Sequence, residues 1–408
     1  MLKINPLSTL YVGIDVSSKS NYICALDFFK NKYINSSFAN NQPGAEELAL
    51  KILECLNQHP DLTMVVAALE STSVYSIHIA NYLSSCEELM RFKPYVFVLN
   101  PKCTANYKKS YIGLGKSDPI DAFVIADYAR AGNIESEPWR GSQFLALKRL
   151  TRHRLHLVEC MTREKTYLIS NLYLKFSELQ MLEGDDQPFC DIYGATSSSV
   201  LMEYLSPEEI LASSEENLIA FLAEKSCNRI KDISKTADLL KKAARDSYRL
   251  DKALYEPLNV SIASSFNCIE TFKREIKVID NAIEKEIKGL NPNAFIILQS
   301  IDGIGPVFAG GIIAEIGDIT AFHSSDALAK YAGLTWKSNQ SGDFYGEDTP
   351  MIKAGNRYLR YYLGEAANSM RKHNVEYGAY YRKKYNEVPK HQHKRALALT
   401  SRKFVRLV

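Results

Sequence analysis

The stretch Tyr11-Val-Gly-Ile-Asp15-Val16 is an apolar run that closes on a carboxylate. Its composition predicts a buried strand, and a carboxylate at the end of a buried strand is costly unless something pairs with it. A second apolar run, Met64-Val-Val-Ala-Ala-Leu-Glu70, ends the same way. A third segment, Asp118-Pro-Ile-Asp121-Ala-Phe-Val-Ile-Ala, opens on two acids three residues apart, and such positions share a helix face. Asp15, Glu70, Asp118 and Asp121, converging from two strands and a helix, would make a hard-cation site. Oxygen ligands of this kind suit Mg²⁺, which keeps some waters and often binds substrate phosphates as well. That chemistry points to phosphodiester bonds.

The surrounding pattern predicts strands at 10–16, 21–28 and 33–38, joined by short polar links that favour antiparallel hairpins. A helix follows at 44–56, with apolar residues at Leu48, Leu50, Ile52, Leu53 and Leu56, then a buried strand at 63–69 and a helix at 74–83. The strand at 95–99 is stopped by Asn100-Pro101, and a helix at 119–131 ends at Gly132. Three strands followed by alternating helices and strands is the order of an RNase H-like domain. In that fold the first strand, the fourth strand and a late helix bring their acidic residues to one edge.

Beyond a linker with Pro138 and Trp139, Leu147, Leu150, Leu157, Met161, Leu168 and Leu172 recur at helical spacing. So do Ile262, Phe266, Ile269, Phe272, Ile276, Ile279, Ile283 and Ile287. Steps of three and four over several turns predict long amphipathic helices, read as an antiparallel hairpin or coiled coil. A small helical insertion is expected between them. From Ala294 the pattern changes to short helices, with Gly303-Ile-Gly305 between two helical runs and a polar loop at 337–349. No stop signal follows Arg402-Lys-Phe-Val-Arg-Leu-Val408. The expected architecture is therefore multidomain, α/β then α: an RNase H-like domain over 1–140, a helical region over 141–293 and a small, mainly helical domain over 294–408.

Each residue also has a bland reading. Asp118 before Pro119 is a good helix N-cap, and Asp121 suits the helix dipole. Asp15 and Glu70 would serve as turn formers, and Lys116 as a solvated surface charge. The combination is more specific than its members, because all four acids fall where one fold requires them. Gly303 and Gly305 match a helix-hairpin-helix turn, whose following helix N-terminus offers N–H groups to a DNA phosphate. Plain helix packing uses the same turn. Lys353, Arg357 and Arg360 are spaced for one helix face, suited to a DNA backbone. Tyr377, Tyr380, Tyr381 and Tyr385, interleaved with Arg382, Lys383 and Lys384, read as packing plus phosphate contact. In the loop Ser338-Asn-Gln-Ser341-Gly342, serine and glycine are ordinary turn formers. No histidine base accompanies them, so a hydrolase triad is not indicated.

The chain of 408 residues is 46% hydrophobic and 24% charged, with a formal net charge of +3, and has room for two or three domains. The charge is uneven. Residues 351–408 hold 14 Lys+Arg against 3 Asp+Glu, or +11, which leaves −8 on the rest. A basic tail on a mildly acidic body fits a polyanion partner or a solvated helix. The eight cysteines form no Cys-x-x-Cys pair, which argues against a zinc site or disulfide framework and for reduced thiols in a cytoplasmic protein. No signal peptide or membrane-spanning run is found.

Taken together, Asp15 in Val-Gly-Ile-Asp-Val, Glu70 in Leu-Glu-Ser-Thr and Lys116-Ser-Asp118-Pro-Ile-Asp121 resemble the acidic motifs of DEDD-type insertion-sequence transposases. These form the "insertion sequence one-ten" family, which includes Piv-type DNA invertases. Asp302-Gly-Ile-Gly-Pro, Tyr331-Ala-Gly-Leu-Thr, Gln340-Ser-Gly-Asp and Lys353-Ala-Gly-Asn-Arg-Tyr-Leu-Arg360 resemble the C-terminal domain of that family. The resemblance covers about residues 11–132 and 295–400. It implies a RuvC-like domain, a coiled coil and a small C-terminal domain. It implies a recombinase guided by a structured noncoding RNA that pairs with donor and target double-stranded DNA. It further implies Mg²⁺, with Mn²⁺ as substitute, on the four acids, Ser341 as the nucleophile and a homo-oligomer, dimer or tetramer. The rivals are a RuvC-like metal-dependent nuclease or junction resolvase without a covalent intermediate, an actin-like ATPase or sugar kinase, and a non-catalytic nucleic-acid binder. The second lacks the glycine-rich phosphate loops it needs.

Overall fold

Strand β1 (Thr9–Val16) is the middle of a five-stranded sheet. The computed structural model describes residues 4–134, 138–139, 141–337, 340–341, 344–345 and 350–408. β2 (Ser20–Leu26) and β3 (Lys32–Ala39) follow as antiparallel neighbours. Helix α1 (Gln42–Gln58) then crosses one face, capped by Asn41, whose Oδ1 accepts from Gly44 N at 3.0 Å. β4 (Met64–Glu70) returns parallel to β1 on its other side. Helix α2 (Tyr75–Ser85) leads to β5 (Tyr95–Leu99), parallel to β4. The sheet order is β3-β2-β1-β4-β5.

One element was not expected from the sequence: helix α3 (Pro101–Lys108) directly follows β5. Asn100-Pro101 ends the strand and at the same time starts this helix. The Asn100 side chain caps it by accepting from Lys102 N at 3.0 Å, and proline takes the first helical position, where its missing N–H costs nothing. Helix α4 (Asp118–Arg130) closes this part of the chain.

Strand alternation divides the core between the two faces of the sheet. Leu10, Val12, Ile14, Val65, Ala67 and Leu69 pack with α1 and α2, whereas Tyr11, Val66, Ala68, Phe97 and Leu99 pack with Ala122, Ile125 and Ala126 of α4. Gly13 lies on the α4 side, where no side chain would fit. A Cβ there would stand 2.2 Å from the Ala122 carbonyl oxygen and 2.3 Å from Ala126 N. The backbones of β1 and α4 therefore touch, two residues before Asp15.

Contacts divide the chain into two compact units, residues 1–146 with 317–327, and residues 147–316 with 328–408. The expected boundary at 293/294 thus falls inside the second unit. Pro138-Trp139 is pinned rather than a free linker: Trp139 N donates to Val96 O at 2.6 Å and its indole donates to Asn81 Oδ1 at 3.1 Å.

The second unit is built on two long helices, α5 (Ser142–Lys175) and, after four shorter ones, α10. The four are α6 (Ala195–Glu203), α7 (Pro207–Ala212), α8 (Glu215–Ser226) and α9 (Ile233–Asp246). α10 spans Lys252–Leu290. Leu168 and Leu172 of α5 share a core with Ile262 and Phe266 of α10, and Arg154 reaches Asp280 at 2.5 Å, so the two helices run antiparallel. α11 (Pro292–Gln299), α12 (Pro306–Ile316) and α13 (Ser325–Ala332) follow. A small ribbon pairs β6 (Thr335–Trp336) with β9 (Met351–Ile352). Within the loop it subtends, β7 (Gln340–Ser341) pairs with β8 (Phe344–Tyr345). α14 (Arg357–His373), α15 (Val375–Asn386) and α16 (Gln392–Phe404) complete the unit. Among the described residues no helix is long and apolar enough to cross a membrane.

The substitution Gly13→Ala should force β1 and α4 apart. Overpacking of this kind costs on the order of 1–3 kcal/mol, measurable as a lower denaturation midpoint in urea.

Candidate functional site

The register of the sheet brings the first two acids together. Ile14 pairs with Leu69 in parallel strands, so Asp15 and Glu70 are the next residues on neighbouring strands. Both continue the face that packs on α4: Tyr11 and Gly13 precede Asp15, and Val66 and Ala68 precede Glu70. Asp118 and Asp121 sit in the first turn of α4, which the Gly13 contact holds against β1. The helix is capped at Ser117, so Asp118 is a helical residue and not the cap that its place before proline suggested. Burial and then the charges of Asp121, Asp118 and Glu70 push the Asp15 carboxyl up to about 6, with Lys108 acting in the opposite direction. The other three acids thus act on Asp15.

Two groups from α3 meet this quartet. The Thr104 hydroxyl, buried, donates to Glu70 Oε1, and Lys108 Nζ lies 2.5 Å from Asp121 Oδ1. Neither residue was singled out in the sequence, although the Asn100-Pro101 start signal would have revealed the helix that carries them. Lys116 is exposed on the loop before α4. The donor set, four carboxylates from adjacent strand ends and one helix turn, fits a divalent cation in chemical type. Among the described residues, no three His, Cys, Asp or Glu side chains are drawn close enough to share one ion.

Below the quartet, Asp127 of α4 is fully buried and heavily paired. Burial raises its carboxyl, but hydrogen bonds from Tyr111, Arg130 and Tyr107 outweigh this and hold it below the usual carboxylate range. Arg130 Nε is 2.6 Å away, the Tyr107 hydroxyl 2.8 Å and Lys30 Nζ 3.3 Å. Tyr107 and Tyr111 flank the end of α3, so this carboxylate ties α3 and the residues after it to α4.

The sequence-predicted positions in the second unit are distributed differently. Gly303 adopts φ +93° between α11 and α12, and a Cβ there would stand 3.0 Å from Met370 N. The hairpin is therefore packed on α14. Gly305 has open space around it, and a shallow cavity is lined by Asp302, Gly303, Ile304, Gly305, Ser369 and His373. Lys353, Arg357 and Arg360 do not share a helix face, because Asn356 caps α14 and leaves Lys353 outside it. Lys353 is exposed. Arg357 is exposed too, 3.6 Å from Glu159. Arg360 donates to the carbonyls of Ala332 at 2.9 Å and Lys353 at 3.2 Å, stapling the base of the loop. Tyr377 and Tyr381 are buried, and the Tyr381 hydroxyl meets His393 Nδ1 at 2.7 Å. Lys403 lies over the rings of Tyr377 and Tyr380.

Of the loop 337–349, the structure describes Lys337, whose N–H donates to Pro350 O at 3.0 Å, and the backbone pairing of Gln340–Ser341 with Phe344–Tyr345. Ser338 and the side chain of Ser341 lie outside the described residues. The base of the loop rests on a hub that sequence reading missed. Arg152 grips the fully buried Glu315 with two bonds of 2.8 and 2.9 Å, and Asn356 Nδ2 adds a third at 2.8 Å. Asn356 Oδ1 accepts from Tyr358 N and Leu359 N, and Asn356 N donates to Tyr331 O at 2.7 Å. Asn356 thereby couples the buried ion pair, the start of α14 and the end of α13.

Two consequences are measurable. Because the folded-state value for Asp15 is raised from 3.8 to about 6, its contribution to stability is present at low pH and is lost as pH rises through about 6. Asp15→Asn should therefore raise the metal-free melting temperature at pH 7.5 by on the order of a few degrees, with the gain vanishing near pH 4. Arg152→Met should leave Glu315 without its cation and cost on the order of 3 kcal/mol, read by denaturant unfolding.

Comparison with known proteins finds two matches along the chain. Residues 12–177 match the model of the DEDD transposase domain of insertion-element type, and residues 296–382 match that of the transposase IS116/IS110/IS902 family. The 42 kDa protein of insertion element IS900 from Mycobacterium paratuberculosis is 25% identical over 356 residues, covering 86% of this chain and 82% of that protein. The 44.8 kDa protein of insertion element IS116 from Streptomyces clavuligerus is 24% identical, covering 82% of this chain and 77% of its own length. The pilin gene-inverting protein of Moraxella lacunata is 26% identical over 160 residues, 39% of this chain and 46% of that protein. With both family models matched in this order along the chain, the protein belongs to the IS116/IS110/IS902 family of insertion-element transposases.

Proposed function

We propose that this transposase cuts and rejoins DNA through a serine–phosphodiester intermediate, with Mg²⁺ held by an acidic quartet and a noncoding RNA of the element as guide. The reading assigns an RNase H-like, RuvC-like fold to the N-terminal domain (1–140). It assigns an arm or oligomer contact to the helical region (141–293), and the nucleophile to the C-terminal domain (294–408). The observation that carries it is the placement of Asp15 and Glu70 on adjacent parallel strand ends beside Asp118 and Asp121 of α4. A stable fold gains nothing from setting like charges at neighbouring strand ends and the helix start beside them, so this placement argues for a cationic ligand.

Asp15, Glu70, Asp118 and Asp121 would hold the cation, for which Mn²⁺ is a reasonable substitute. When bound, it neutralises charge that develops on the scissile phosphate. Ser341 Oγ attacks phosphorus. An Oγ–P bond forms, the P–O3′ bond breaks, and the hydroxyl proton ends on the 3′ oxygen. Reversal of that attack by another 3′ hydroxyl reseals the DNA, so phosphodiester energy is conserved and no nucleotide triphosphate is required. Lys116, Lys353 and Arg357, with the Gly303–Gly305 hairpin, would serve as backbone contacts to nucleic acid, whereas Arg360 holds the base of the loop. The likeness to a pilin gene-inverting protein supports rejoining as well as cutting. The proposed setting is the cytoplasm, with the protein acting as a dimer or tetramer.

The test is trapping on supercoiled DNA that carries the element's junction, with its flanking RNA and Mg²⁺. A denaturation-resistant protein–DNA adduct is expected for the wild type and absent from both Ser341→Ala and Asp15→Ala. Cleavage that survives in Ser341→Ala, without an adduct, and is lost in Asp15→Ala would replace this reading with a hydrolytic nuclease.

A further inference from the structure

Helix α3 carries no carboxylate, yet it reaches two of the four acids. Thr104 and Lys108 stand four residues apart and so share a helix face. The Thr104 hydroxyl engages Glu70, and the Lys108 ammonium lies 2.5 Å from Asp121 Oδ1. Both members of the second pair are only partly exposed, at 22% and 26%. α3 is not free to drift from this position. Tyr107 and Tyr111, at its end and just beyond, both donate to the buried Asp127, which also takes Arg130 and Lys30. Asp127 and Asp121 belong to the same helix, so the clasp fixes the distance between the stem of Lys108 and the acid it meets.

A lysine ammonium is a compact point charge on a flexible stem with three donors. Held against one carboxylate of a four-acid cluster, it offsets part of the like-charge repulsion that a divalent cation would otherwise relieve. It also takes up an oxygen of Asp121 that such a cation would need. The clasp at Asp127 keeps the backbone of α3 in place, while the Lys108 side chain beyond it keeps the rotamer freedom to leave.

We propose that Lys108 is the built-in counter-ion of the acidic site, and that a divalent cation enters by displacing its ammonium from Asp121. Lys108 then sets the metal affinity of the site as a competitor and not as a ligand. Once displaced, the ammonium remains tethered one helical turn from Thr104. It is therefore free to meet an anion such as a backbone phosphate, and phosphate binding and metal binding favour each other.

The inference rests on the metal-site reading above, and one experiment separates the two. Mn²⁺ binding to the full chain is measured by electron paramagnetic resonance for wild type, Lys108→Met, Lys108→Arg and Asp15→Asn, together with the melting temperature of each without metal. Removing the competing charge should tighten Mn²⁺ binding in Lys108→Met by about ten-fold and lower its metal-free melting temperature at pH 7.5. Lys108→Arg, which keeps the charge, should stay near wild type in both. A Lys108→Met affinity equal to or weaker than wild type, with Asp15→Asn still reducing binding, would overturn the counter-ion role and leave the metal site standing. Binding that is the same in wild type and Asp15→Asn would overturn both.

Discussion

The contact between Gly13 and the backbone of α4 is the constraint on which the acidic site depends. A side chain at that position would push the helix off the strand, and Asp118 and Asp121 would move away from Asp15 and Glu70. Close approach at one glycine therefore does two things. It completes the apolar layer of Tyr11, Val66, Ala68, Ala122 and Ala126, and it places the carboxylates immediately past the end of that layer. The apolar layer supplies the stability that permits like charges at the ends of β1 and β4 and at the start of α4. Burial first, and then the charges of Asp121, Asp118 and Glu70, raise the Asp15 carboxyl.

The chain offsets this cost from within. α3 brings a hydroxyl to Glu70 and an ammonium to Asp121, and Asp127 clasps α3 to the same helix that bears Asp118 and Asp121. In the second unit, a buried ion pair does comparable work. Arg152 holds Glu315 directly, and Asn356, at once a helix cap and a link to Tyr331, donates to the same carboxylate. The ribbon of β6 and β9 and the staple from Arg360 then define where the serine-bearing loop begins and ends. In both units a fully buried carboxylate, satisfied by several donors, positions elements that are themselves partly exposed. This is the circumstance in which buried charge specifies geometry more than it adds stability.

Strand alternation and helical spacing made much of this legible in advance. The runs at 10–16, 63–69 and 95–99 are strands close to where their apolar residues place them, and the acids at the ends of the first two are recognisable because a carboxylate interrupts an otherwise buried pattern. The long helices at 142–175 and 252–290 follow from leucine and isoleucine spacing. Helix α3 left only the start signal Asn100-Pro101, because its eight residues bury a single side chain, Thr104, and so carry no apolar period. Arg360 reads in sequence as one of three cations on a helix, but the cap at Asn356 separates it from Lys353, and local carbonyls occupy its guanidinium.

The sequence by itself determined the strands, the long helices, the four acids and the family motifs, because each is written in periodicity or in local spacing. Only the tertiary structure decided which groups face those acids and which cations are already engaged. Lys108 meets Asp121, and Arg152 meets Glu315, across 13 and 163 residues. A charge carries no mark of its partner in the sequence. The pairing is set when packed backbones bring distant segments within a hydrogen bond's length, and burial then makes an unpaired choice too costly to keep.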